Sequence, residues 1–240
     1  MTTGAGRTGV MRALLPRAVL VAASLLAVSA RAESVNRKVE GFTKVHLQIP
    51  LDVTIRPGKA FSLVLELKDA DLADKITTEV RGDTLYISSN EHALHMRGKD
   101  TATITMPSFQ SVSISGSGDA DIAGFEQGEV SLTISGSGDI TYSGKSSALS
   151  VAISGSGNTK LSGSTGSLSV SIEGSGDLKA AEFTAKNASV AVNGSGDADL
   201  HVAGGAVQFA VNGSGDIRWS GDASVVSAVT RGSGSIQKKH

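Results

Sequence analysis

The chain has 240 residues, with 22 Lys and Arg against 23 Asp and Glu, five His and no Cys. Without cysteine there is no disulfide framework, no thiol nucleophile and no lipidation site. A balance so close to neutral gives no basic footprint for nucleic acid or for an anionic membrane surface.

Residues 1–32 read as a signal peptide. Arg7, Arg12 and Arg17 precede an apolar run from Ala18 to Val28, and Ala30-Arg31-Ala32 offers an A-x-A cleavage site. Met11 would start a signal of more ordinary length. The run is shorter than the roughly 20 residues a membrane-spanning helix needs. Cleavage before Glu33 removes four Arg and no acid, leaving 18 basic against 23 acidic residues and a net charge of −5. The mature chain is therefore expected to be exported, periplasmic or secreted, with no membrane span and no nucleic-acid partner.

From residue 33 to residue 107 the pattern is β but irregular. Apolar residues alternate at Val45/Leu47/Ile49, Leu51/Val53/Ile55, Leu63/Leu65/Leu67, Leu85/Ile87 and Ile104/Met106. Turn signals separate them at Pro57-Gly58, Arg81-Gly82-Asp83 and Arg97-Gly98-Lys99. Asp69–Lys75 suits one short helical turn. With no linker in sight, residues 33–107 are expected to be the irregular first coils and cap of the body formed by residues 108–240, and residues 33–240 a single domain.

From residue 108 onward a tripeptide keeps returning. Gly-Ser-Gly begins at Gly116, Gly136, Gly155, Gly174, Gly194, Gly213 and Gly232, in steps of 20, 19, 19, 20, 19 and 19 residues. A period near 20 marks a solenoid, whose coils bury their apolar faces only against one another. Before each corner the apolar residues alternate, as in Val130/Leu132/Ile134, Leu149/Val151/Ile153 and Leu168/Val170/Ile172, continuing to Ala188/Val190/Val192 and Val207/Phe209/Val211. That is a strand with one buried face. After each corner come Ala120/Ile122, Ile140/Tyr142, Thr159/Leu161, Leu178/Ala180, Ala198/Leu200 and Ile217/Trp219. Each coil is thus strand, corner, short strand and a looser return. The two longer steps are expected to place their extra residue near Phe125–Glu129 and Glu182–Ala188. Stacked corners about 4.8 Å apart leave little room for a Cβ, which explains the glycines. In the seventh coil the inward positions become Val226, Ala228 and Thr230, and the charged tail Gln237–His240 reads as a stop against end-to-end sheet addition.

Together, Gly41-Phe42-Thr43-Lys44-Val45, Asp52–Gly58, Asp74–Val80, Gly82–Ile87 and the Gly-Ser-Gly-Asp ladder resemble the auto-transporter adhesin family with the head GIN domain. The resemblance spans nearly all of residues 39–240. It implies an all-β fold, a right-handed parallel β-helix-like solenoid, in an exported protein. It transfers no catalytic residue. The 240 residues leave no room for a translocator barrel, which needs many alternating strands of its own.

Three constellations invite chemistry. The acids after the corners (Asp119, Asp139, Asp177, Asp197, Asp216) form a column that Asn158 and Ser235 interrupt. Calcium wants six to eight oxygen ligands, and the calcium β-roll repeats every nine residues, so capping of each turn's own backbone is the better reading. Ser117, Ser137, Ser156, Ser175, Ser195, Ser214 and Ser233, like Asn193 and Asn212, are expected to stack as ladders that hydrogen-bond along the solenoid. A regular hydroxyl array also suits ice or a glycan. His92 and His95 with Glu91 lack a third ligand at metal spacing. No site residue, cofactor or metal is therefore assigned. The basic residues of the coils, Lys145, Lys160, Lys179, Lys186, Arg218 and Arg231, form no cluster that would serve polysaccharide cleavage. The function expected is non-catalytic: an adhesin-like binder at the bacterial cell envelope, its partner a glycan or protein there. The alternatives are a periplasmic polysaccharide-active enzyme and a purely structural, self-associating protein.

Overall fold

The computed structural model describes Met1 and residues 33–91, 96 and 100–239. The segment read as a signal peptide otherwise lies outside the described residues, as do His92 and His95.

In chain order the irregular part contains β1 (Glu33–Arg37), β2 (Lys44–Leu47), β3 (Asp52–Pro57), β4 (Ser62–Leu67), the short helix α1 (Asp71–Lys75), β5 (Ile76–Arg81), β6 (Thr84–Ser89), β7 (Thr101–Met106) and β8 (Ser111–Ile114). The regular part contains β9 (Ala120–Ile134), β10 (Ile140–Gly155), β11 (Thr159–Gly174), β12 (Leu178–Gly194), β13 (Ala198–Val202), β14 (Ala206–Gly213), β15 (Ile217–Gly221), β16 (Ser224–Gly232) and β17 (Ile236–Lys238). It is a β-solenoid of parallel, in-register coils: Leu149 lies beside Leu168, Val151 beside Val170 and Ile153 beside Ile172.

The expected strand phase holds. The apolar positions flanking each corner from Val130 to Trp219 are buried, and the residues between them face outward. Aromatic pairs fill the interior, Phe109 with Phe125, Tyr142 with Phe183 and Phe209 with Trp219, at centroid distances of 5.4, 6.5 and 5.8 Å. From β9 to β12 the return is not loose, however. Strand pairing continues through it, Gly144 beside Gly163, Lys145 beside Ser164 and Ser146 beside Thr165, because coils of equal length give each N–H a partner one coil on. In the last two coils the return does break the strand, at Ala203–Gly205 and Asp222–Ala223. The extra residues fall just ahead of the expected segments. The register slips at Gly124 and again opposite Leu161, at Ala180–Ala181. Bulging there leaves Phe125 and Phe183 in the core.

The first coils belong to the same sheet, but not in chain order. β2 lies between β6 and β8, and β3 lies between β7 and β9. The coil made by β6 and β7 is therefore outermost, and β8 steps across β2 to begin the regular stack. Antiparallel pairs close this end: β1 with β4, β4 with β7, and β5 with β6.

The other end differs from expectation. The bulge in β16 sets Val225, not Val226, beside Val207, while Ala228 and Thr230 lie beside Phe209 and Val211. Every residue of β16 is exposed, because no further coil covers it among the described residues. The tail's charges turn back onto the body. Lys238 Nζ sits 4.8 Å above the Trp219 ring, and Lys239 pairs with Asp199.

Candidate functional site

The acidic column is a rung system between coils. Asp119 Oδ1 accepts the backbone N–H of Asp139 at 2.8 Å, and Asp139 Oδ1 accepts that of Asn158 at 2.7 Å. Asn158 Oδ1 accepts from Asp177 N at 3.1 Å, Asp177 Oδ1 from Asp197 N and Asp197 Oδ1 from Asp216 N, both at 2.9 Å. Asp216 Oδ1 closes the series on Ser235 N at 2.9 Å. The carboxylate thus serves the next coil's backbone, not the N–H groups of its own turn. Sequence alternation missed the first rung, Asp52, whose Oδ1 accepts from Asp119 N at 3.2 Å. No Gly-Ser-Gly precedes Asp52, so the repeat does not flag it.

Repulsion along the column is relieved from within. Asn158 is neutral and donates its side-chain N–H to Asp139 Oδ1 at 3.1 Å. Arg218 bridges Asp197 and Asp216 at 3.1 and 2.8 Å. The hydroxyl of Ser235 and the Arg218 charge hold the Asp216 carboxyl below its ordinary range. Among the described residues no group of His, Asp and Glu is arranged to hold a metal ion.

The corner serines face solvent. The stacking bonds at the corner are backbone bonds: Gly116 O accepts from Ser137 N at 3.0 Å and from Gly138 N at 3.3 Å, and later coils repeat this. The two asparagines do form a rung, Asn212 Nδ2 donating to Asn193 Oδ1 at 2.8 Å. Lys145 pairs with Glu126 at 3.0 Å and Arg218 is held by its two aspartates, so these cations are engaged in structural pairs.

What sequence reasoning passed over is the outer face of the strands before the corners. The signal lay in the residues between the buried ones. One row runs Thr84, Lys44, Ser111, Ser131, Ser150, Ser169 and Ser189. The next runs Tyr86, His46, Ser113, Thr133, Ala152, Ser171 and Ala191. Small side chains on in-register strands make a flat lattice of hydroxyls and methyls, about 4.8 Å by about 7 Å.

At the cap end the face gains rings. His46 and Tyr86 lie with centroids 5.3 Å apart, and the Arg81 guanidinium sits 5.3 Å from the Tyr86 centroid. His46 Nε2 also meets Ser115 Oγ at 2.8 Å, and partial burial lowers the imidazole's pKa, favouring the neutral ring. Beside this face a groove of about 800 Å³ is lined by Lys44, Gln110, Ser111, Glu129, Ser131, Ser150, Ser167 and Ser169. Rings, hydroxyls and a few charges along one shallow surface can hold an extended polar chain by stacking and hydrogen bonding.

Among solved structures the chain is similar to a "putative adhesin" of Bacteroides fragilis, at 22% identity with a TM-score of 0.83 over 88% of this chain and 98% of that one. A "putative lipid binding protein" of Parabacteroides distasonis shares 21% identity with a TM-score of 0.67, over 88% and 98% of the two chains. A "putative adhesin" of Parabacteroides merdae shares 15% identity with a TM-score of 0.66, over the same fractions. At such identities these likenesses speak for the fold. No curated protein matches the chain by sequence. Residues 41–223, from the first irregular coil to the bend just before β16, match the model of one family. The chain belongs to that family, described as "Putative auto-transporter adhesin, head GIN domain".

Proposed function

We propose that this protein is an exported, non-catalytic binding module that attaches to a glycan of the bacterial cell envelope through the outer face of its coils. The observation that carries the reading is the continuous row of Tyr86, His46, Ser113 and Thr133 beside the serine row and its groove. A sugar ring offers hydroxyls at its edge and C–H groups on its face. The rows offer hydroxyls and methyls, and the aromatic pair offers an apolar platform. Family membership supports an adhesive role. Export rests on the charge and apolar pattern of residues 1–32. Among the described residues no helix is long and apolar enough to cross a membrane.

The non-catalytic part rests on how the ionisable groups are used. The aspartates hold backbone amides, and Arg218 and Lys145 hold acids, so the conspicuous candidates for acid–base work have structural partners.

The test is binding of the purified chain to peptidoglycan fragments and envelope glycans. Saturable binding is expected to weaken at least tenfold in Tyr86→Ala and in Ser150→Arg, with an unchanged β circular dichroism spectrum. Folded protein that binds none of these glycans, or binds equally well in both variants, sinks the proposal.

A further inference from the structure

The two ends of the solenoid are finished differently. At the cap end the free edges, among the described residues, are β1 and β5. β1 is only a five-residue strand, and β5 carries Glu79 and Arg81, which pair with each other at 2.6 Å. Short strands and charges are what keep a free edge from recruiting another strand. At the other end β16 is nine residues long and fully exposed, with the sequence SVVSAVTRG and a single charge, Arg231, near its end. Apart from Met1, the large exposed apolar side chains among the described residues are Val225, Val226 and Val229, all on β16. Their exposures are 52%, 64% and 40%. Lys238 and Lys239 do not guard this edge, because they are turned onto Trp219 and Asp199.

The free edge also has hydrogen bonds to give. Ser131 N, at the same position of an earlier coil as Ser227, donates back to Gln110 O in the preceding coil. Backbone groups alternate sides along a strand, so the following residue directs its N–H onward to the next coil. In β16 that residue is Ala228, and among the described residues no strand lies beyond it.

We propose that β16 is a homotypic docking strand: two copies of the chain join tail to tail, β16 running antiparallel to β16 about a two-fold axis. A second copy is the occupant favoured by charge. Asp222 lies just before β16 and Arg231 near its end; both are exposed, and Arg231 has no ion pair among the described residues. Antiparallel self-pairing brings Arg231 of each copy to the Asp222 end of the other, twice over by symmetry. Parallel head-to-tail stacking would instead need the charged, antiparallel-capped end as partner. The pairing covers Val225, Ala228 and Thr230, the open tops of the core columns that end in Val207, Phe209 and Val211. This interface is separate from the glycan-binding rows, which lie on the outer face toward the cap.

The test is sedimentation equilibrium of the purified chain from micromolar to millimolar concentration. The wild type is expected to populate a dimer. Ala228→Pro takes away an outward N–H and leaves the bonds to β14 in place, so it is expected to give monomer with unchanged circular dichroism. Arg231→Glu sets like charges against each other and is expected to weaken the dimer several-fold. The double change Asp222→Lys with Arg231→Glu restores it. A wild type that stays monomeric throughout overturns the proposal. So does a folded Ala228→Pro variant that still dimerises, or a double variant no tighter than Arg231→Glu alone. Glycan binding by the monomeric variant separates this result from the binding-face reading.

Discussion

A Cβ added at Gly157 would overlap the carbonyl oxygen of Gly138, which belongs to the backbone of the neighbouring coil and cannot step aside. Gly157→Ala should therefore cost about 3 kcal/mol, by the logic of an overpacked core. Gly204→Ala is the control: its φ is +73° but nothing lies within 4 Å, so only the left-handed strain of about 1–2 kcal/mol applies. Urea midpoints of the two variants check this, and equal losses would mean that conformation, not stacking distance, selects the glycines. Thr159 makes the opposite case. It is fully buried in a column shared with Ile140 and Leu178, and its hydroxyl has no partner among the described residues. Thr159→Val keeps the shape and removes the unsatisfied group, so thermal unfolding should show a gain of about 1 kcal/mol. Asp216 gives a pH prediction. Its folded-state pKa is depressed, first by the Ser235 hydroxyl and then by the Ser235 N–H and Arg218. Its contribution to stability is thus fully present above the ordinary carboxylate pKa and is lost as pH falls through the depressed value. Ser235→Ala should move the Asp216 titration, followed by NMR, upward, and an unmoved midpoint would show that the hydroxyl is not the cause.

Within one strand, neighbouring residues have opposite fates. Ile153 is buried between Ile134 and Ile172, whereas Ser150 is exposed between Ser131 and Ser169. Ile153→Asp buries an unpaired charge and should cost more than about 4 kcal/mol, while Ser150→Asp should stay within about 0.5 kcal/mol. Comparable losses in chemical denaturation would mean the strand phase is wrong. This phase was legible from Leu149/Val151/Ile153 alone, because stacked identical coils impose period-two alternation without interruption. The corner was legible as well, since seven repeated Gly-Ser-Gly corners report one geometric demand. Less was legible where that demand relaxes. Asp52 enters the rung system from a coil whose corner is closed by the buried pair Ile49 and Leu51 in place of glycines. The bulges at Gly124 and Ala180–Ala181 lie ahead of the expected sites, because apolar spacing marks which aromatic must stay inside but not where the slack is taken. The rows from Tyr86 to Ala191 need the insertion of β2 between β6 and β8, and no local pattern announces that swap.

Across the whole molecule, stability is distributed along one axis, since each coil touches only its neighbours. The middle coils, β10 to β12, have a paired strand on both sides, and the cap end is closed by antiparallel strands. β16 and β17 are held from one side only among the described residues, so the chain should fray from that end. Hydrogen exchange on the monomeric Ala228→Pro variant should show this as a gradient: slow amides in β10–β12, faster ones in β14 and β15, and the fastest in β16 and β17. If the ends of the solenoid instead exchanged together with its centre, the coils would be unfolding as one unit and nearest-neighbour stacking would not describe them. In the wild type, tail-to-tail pairing adds the missing neighbour. The outward amides of β16 should then slow as protein concentration rises, while those of β10–β12 stay constant. A β16 exchange rate independent of concentration would leave the end open in solution and would count against the docking strand.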